Sequence, residues 1–201
     1  DRIAAVGTGT PPAAARTVDA TGKAVAPGFI NMLSWATESL LVDGRGLSDL
    51  KQGVTLQVMG EGWTMGPLTA PMRRDMIAQQ SNLKFEVPWT TLGEYLAHLE
   101  ARGIAPNVAS FVGATTVRIH ELGEGDVQPT PEQLTRMRAL VRQAMNEGAL
   151  GVGSSLIYAP GGYAQTPELV ALATESARCG GGYISHMRSE GANIGKALDE
   201  L

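Results

Sequence analysis

From residue 25 onward the chain alternates short apolar runs with longer amphipathic ones. Residues 25–33, interrupted by Pro27 and Gly28, predict a buried strand, and Val54–Met59, 107–112, 149–154 and 182–185 predict four more. Helices with defined starts lie between them. Thr91-Leu92-Gly93-Glu94 is a capping-box pattern, and Leu92, Tyr95, Leu96 and Leu99 follow at helical spacing. Thr130-Pro131-Glu132-Gln133 supplies an N-cap and a first-position proline, with Leu134, Met137, Leu140, Val141 and Met145 marking the buried face. Thr166-Pro167-Glu168 repeats the device before residues 169–177. The opening segment, residues 1–28, reads differently: 2–6 and 17–19 as short strands, 7–12 as a loop, and Ala20-Thr21-Gly22-Lys23 as a turn.

Strands that alternate with helices imply parallel βαβ units, so the fold class is α/β. Five units in series suit a (β/α) barrel or a doubly wound sheet. A barrel closes at eight strands, and five would leave open edges and an uncovered core. The chain is therefore expected to be part of a longer polypeptide.

Composition narrows the function classes. With 43% hydrophobic residues, 18% charged residues and a net charge of −4, the 201 residues have enough apolar content for a buried core. Mild acidity without a run of Lys or Arg argues against nucleic acid or an anionic membrane surface as a partner. No apolar stretch reaches the roughly 18 residues of a membrane span. Cys179 is the single cysteine, which excludes an internal disulfide and leaves the compartment open, cytoplasmic or else periplasmic or secreted after removal of a signal.

The candidate chemistry centres on His186. It ends the last apolar run and is followed by Arg188 and Glu190, the place where a barrel strand gives way to an active-site loop. Imidazole is the commonest metal ligand, although a lone strand-end histidine more often only hydrogen-bonds its neighbours. His98 falls on the polar side of its helix, and His120, expected in a loop after the third strand, has Glu121 as a simple local partner. The glycines of Gly151-Val152-Gly153 and Gly161-Gly162 match no phosphate-binding spacing.

Three segments carry a resemblance. Val25-Ala26-Pro27-Gly28-Phe29-Ile30 is similar to the lead into the first barrel strand of the metal-dependent amidohydrolase superfamily. The stretch from Gly148 through Gly153-Ser154-Ser155-Leu156-Ile157-Tyr158 to Gly161, and Tyr183-Ile184-Ser185-His186-Met187-Arg188-Ser189-Glu190-Gly191, resemble its D-aminoacylase (N-acyl-D-amino-acid deacylase) branch. The resemblance implies a partial (β/α)8 TIM-type barrel, strands one to five of eight, over residues 29–201. Residues 1–28 would be the N-terminal share of a small β-sandwich.

Departures from the pattern shape the implied site. The superfamily's first-strand His-x-His is replaced by Phe29-Ile30-Asn31-Met32-Leu33-Ser34, and Asn and Met are poor ligands for a hard, water-activating zinc. Where the branch has a histidine after the third strand, this chain has Ala114. Glu61 stands where the branch has a cysteine ligand, between glycines and directly after a strand. A carboxylate binds zinc at about 2.0–2.2 Å. The resemblance thus implies one zinc ion held by Glu61 and His186, with a further histidine and a proton-transferring aspartate on later strands.

The implied reaction is hydrolysis of a small-molecule amide, an N-acyl amino acid above all, by a metal-activated water. Tyr158 would donate its phenol to the carbonyl oxygen or bind substrate, or else pack at the rim against Pro160. Arg188 would pair with a substrate carboxylate or, structurally, with Glu190. A cyclic amide or imide hydrolase is one alternative. A barrel that has lost its chemistry and serves as a binding or structural protein is the other. The expected partners are the remainder of the same barrel, as a missing segment or a second chain, and further copies in a homo-oligomer.

Overall fold

The computed structural model describes residues 2–10 and 12–201. Asp1 and Pro11, which fall in the segment read as strands and loop, lie outside the described residues. The elements run β1 (Phe29–Asn31), α1 (Ser39–Val42), α2 (Leu47–Leu50), β2 (Val54–Met59), α3 (Ala70–Ala78), α4 (Leu92–Arg102), β3 (Asn107–Ser110), β4 (Val112–Gly113), α5 (Ala114–Leu122), α6 (Pro131–Asn146), β5 (Gly151–Ser155), α7 (Thr166–Arg178), β6 (Gly182–His186) and α8 (Ile194–Glu200). Two three-stranded sheets form, ordered β1-β2-β3 and β4-β5-β6, and every strand pair is parallel. This is the α/β architecture expected from the alternation.

The expected third strand, 107–112, is divided at Phe111. Its first part pairs with β2 and its last part with β5, because the chain changes neighbours there. The Phe111 amide still donates to the Met59 carbonyl at 2.9 Å, and the Leu150 amide donates to Ser110 at 2.9 Å, so backbone hydrogen bonds continue across the junction.

The N-terminal expectations need correction. Residues 2–6 and 17–19 form no strand, and Ile3, Val6 and Val18 are exposed, because nothing lies alongside to pair with their backbone. The buried strand expected over 25–33 shortens to the three residues of β1, which are not buried. Pro27 has no amide to donate, the register slips between Phe29 and Ile30, and among the described residues β2 is the only strand beside β1.

Between the sheets and helices α4 to α7 lies one apolar core. Met59, Val112 and Val152 from the strands meet Leu92, Tyr95, Leu99, Val117, Met137, Val141 and Leu172 from the helices. Both expected capping boxes form, at Thr91 with Glu94 and at Thr130 with Gln133. The third start is shifted: α7 is preceded by Gln165, and Thr166 instead donates its hydroxyl to Glu200 at 2.7 Å. His98 packs tilted against Trp89 with ring centroids 5.1 Å apart, and His120 lies within α5 rather than in a loop.

Charged groups pin the helices together. Arg118 of α5 and Glu168 of α7 form a fully buried pair at 2.7 Å, and Arg118 also donates to the Val127 carbonyl. Glu175, buried on α7, collects Arg138, Arg142 and Arg178. Among the described residues no helix is long and apolar enough to cross a membrane.

Candidate functional site

The loop after β2 brings Glu61 to the carboxyl ends of the strands. Gly62 folds back on Gly60 through an N–H···O bond of 3.0 Å. The Gly62 carbonyl accepts the amides of Thr115 and Thr116 at 3.0 and 3.3 Å, which satisfies donors at the start of α5. Thr64 then ties the loop down by donating its amide to the Thr116 hydroxyl at 2.8 Å. The segment is therefore fastened to α5 directly after the glutamate.

β6 delivers the second group. Ser155 and His186 are register partners at the ends of β5 and β6, and the Leu156 amide donates to the His186 carbonyl at 2.9 Å. On the face turned toward the helices, the Ser154 hydroxyl meets Tyr183 at 2.6 Å and Ser185 at 2.9 Å. His186 emerges on the other face. Its Nδ1 lies 3.6 Å from Glu61 Oε1 and its Nε2 lies 2.9 Å from Glu190 Oε1. Both principal sequence candidates, Glu61 and His186, thus meet although 125 residues separate them along the chain (186 − 61). Both are largely buried, with side-chain exposures of 13% and 22%.

Glu190 is a functional candidate that sequence reading assigned elsewhere. It was expected beside Arg188, and it faces the imidazole instead. Its spacing of four residues from His186 was the available signal. A ligating histidine typically donates its other ring N–H to a carboxylate, which fixes tautomer and orientation. Glu190 sits where that acceptor is needed and leaves Nδ1 turned to Glu61.

Tyr158 stands at the rim, edge-on to His186 with ring centroids 5.3 Å apart and an interplanar angle of 78°. It is half exposed, so its ring steadies the imidazole while the other side meets solvent. Arg188 is otherwise employed. Its guanidinium makes two 2.8 Å bonds to Glu200 and donates to the carbonyls of Gly162 at 2.7 Å and Ala164 at 2.8 Å. Of its two expected partners, Glu190 faces His186 instead, and Glu200 takes the guanidinium edge that a substrate carboxylate would use. Those donors hold the Glu200 carboxyl below its usual range. A cleft of about 450 Å³ beside this tie is lined by Gln128, Tyr163, Thr166, Arg188 and Glu200.

The positions that lack family ligands have local partners. Asn31 contacts Asp49 at 3.4 Å and accepts the Leu33 amide, and Ala114 begins α5. Among the described residues no three His, Cys, Asp or Glu side chains are grouped to hold a metal. The pair itself has suitable spacing. Two ligands of a tetrahedral zinc, each about 2.1 Å from the ion, stand about 3.4 Å apart, close to the observed 3.6 Å.

No family model matches the chain. It is 34% identical to the D-aminoacylase of Alcaligenes xylosoxydans xylosoxydans over 204 residues, covering 100% of this chain and 41% of that protein. A D-aminoacylase structure, studied for one-metal activation and second-metal attenuation at its binuclear metal centre, superposes with a TM-score of 0.73 at 30% identity, over 87% of this chain and 37% of the other. The zinc- and phosphonate-bound N-acyl-D-glutamate deacylase of Bordetella bronchiseptica does so with a TM-score of 0.75 at 29% identity, over 90% and 38%. The chain is homologous to these amidohydrolases and spans about two fifths of the length of the relatives it matches.

Proposed function

We propose that this homologue of the D-aminoacylases carries half of the catalytic centre of a zinc-dependent hydrolase that deacylates N-acyl amino acids. The observation that carries the reading is the approach of Glu61 Oε1 to His186 Nδ1 at 3.6 Å on a scaffold homologous to metal-binding deacylases. In this reading the five parallel strand positions belong to an eight-stranded barrel, whose later strands complete the ligand set. Residues 1–28 then contribute to a small β-sandwich. The exposed apolar residues of β1 and of α8, Phe29, Ile30 and Leu198 among them, would face the rest of that barrel.

Glu61 and His186 would hold one zinc ion, with the Glu61 carboxylate lowering the net positive charge of the centre. Bound zinc supplies a water whose pKa falls to about 7 and polarises the scissile carbonyl. Glu190 accepts the Nε2 proton of His186, which keeps Nδ1 free as a donor to the ion. Tyr158 offers a phenol O–H to the carbonyl oxygen as negative charge develops there. Arg188 has no place in substrate binding under this scheme, because it ties β6 to α8.

The test is metal analysis and kinetics of the full-length protein against N-acyl-D- and N-acyl-L-amino acids. One tightly held zinc and activity on the D series are expected. Glu61→Gln and His186→Asn should each lower zinc affinity by at least about a hundredfold, more than the loss of an outer-shell partner. Neither metal nor amidase activity in the wild-type protein would defeat the reading.

A further inference from the structure

We infer that Gly113 and Gly153 are positioning residues that seat the Glu61 loop and so set its reach to His186. The inference deepens the zinc-site reading and rests on it. Both glycines lie in strands, where glycine normally weakens the structure, and neither has a positive φ that would require it. What each lacks is room. A Cβ at Gly113 would stand 2.2 Å from the Gly62 carbonyl oxygen, and one at Gly153 would stand 2.1 Å from the Gly60 carbonyl oxygen. These are the two carbonyls that flank Glu61, and both belong to backbone, which cannot swing aside as a side chain can.

The loop is fitted from its own side as well. Gly60, with φ +101°, would place a Cβ 2.3 Å from the Phe111 carbonyl oxygen. Gly62, with φ +82°, would place one 2.5 Å from Ser155 Cβ. Glycines at other turns, such as Gly103, Gly123 and Gly180, have positive φ but nothing within 4 Å, so their role is only conformational. Around Glu61, by contrast, four glycines interlock backbone on backbone. β5 beneath the loop is in register with β6, which carries His186. The separation of the two ligands therefore rests on main-chain packing, with little freedom for the glutamate to follow a displaced partner.

The test uses zinc alone, titrated into the full-length protein against a chelator, together with the visible spectrum of the cobalt-substituted protein. Gly153→Ala and Gly113→Ala should weaken zinc binding by about 10- to 100-fold and alter the cobalt spectrum while far-UV circular dichroism is retained. Glu61→Asp guards against variants that fail to fold. A carboxylate one methylene shorter on a seated backbone cannot reach, and a loss of similar size is expected. Wild-type zinc affinity in Glu61→Asp, or in a folded Gly153→Ala, would overturn the seat. Wild-type affinity in Glu61→Gln would instead remove Glu61 from the ligand set and overturn the zinc reading itself.

Discussion

β1 and β5 are short strands of parallel sheets, yet their burial runs opposite to their composition. Phe29 and Ile30 of β1 are apolar and remain 64% and 54% exposed. Gly151, Gly153, Ser154 and Ser155 of β5 are small or polar, and the whole strand is buried. The difference lies in neighbours. β5 is flanked by β4 and β6, α5 and α7 pack on it, and the Gly60 carbonyl rests on its Gly153. Among the described residues β1 has β2 on one side alone. Burial in this molecule follows the order of the strands before it follows hydrophobicity, and small residues mark where the loop carrying Glu61 packs on the strand.

Three experiments would break or sharpen that contrast. The largest effect is expected from the helical cover of β5. Arg118 and Glu168 tie α5 to α7 with side-chain exposures of 0% and 3%. Arg118→Met would leave Glu168 buried and unpaired, where burial already raises its pKa, and should cost about 3–5 kcal/mol in urea unfolding. Arg118→Met with Glu168→Leu should recover much of that. A single-variant loss below about 1 kcal/mol would show that the cover does not depend on the pair.

Next come the strands themselves. Val152→Ala at the centre of β5 should cost about 2 kcal/mol, since Val152 is fully buried. Ile30→Ala in β1 should change the stability of the 201-residue chain by less than about 0.5 kcal/mol. Equal costs at the two sites would abolish the contrast. A larger cost of Ile30→Ala in a polypeptide with further strands would identify β1 as a covered strand there.

The smallest effect concerns the Arg188–Glu200 tie beyond β6. The arginine's hydrogen bonds lower the Glu200 pKa below its ordinary 4.5. A carboxyl lowered on folding contributes stability above its unfolded pKa and loses it as pH falls through the folded value. Both side chains retain some solvent contact, so the contribution is about 1 kcal/mol or less. Hydrogen exchange should show α8 losing protection as pH falls below the ordinary 4.5 of a glutamate, and Arg188→Met should flatten that dependence. Unchanged protection as pH falls in the wild type would contradict the assignment.

Much of the architecture was legible because it rests on local chemistry. The capping boxes at Thr91 and Thr130 satisfy amides within four residues, so their pattern is written contiguously. Periodicity located β2, β5 and β6 within a residue or two. The N-terminal segment misled, since the apolar residues of 2–6 form a strand only beside a partner. At the site, Glu61 and His186 stood out by residue type and strand-end position. The pairing of Glu190 with His186 did not, because Arg188, two residues before Glu190, offers a surface ion pair equally well.

His186 and Glu61 were therefore credible ligands from their places after apolar runs and from the family segments around them. Their meeting at 3.6 Å, the capture of Arg188 by Glu200 and the use of glycine in β4 and β5 required the folded chain. Strand and helix preferences act over a few residues and leave a periodic trace in sequence. Side-chain partners across 125 residues (186 − 61), and the absence of a Cβ where two backbones touch, depend on contacts that exist only once the strands are packed.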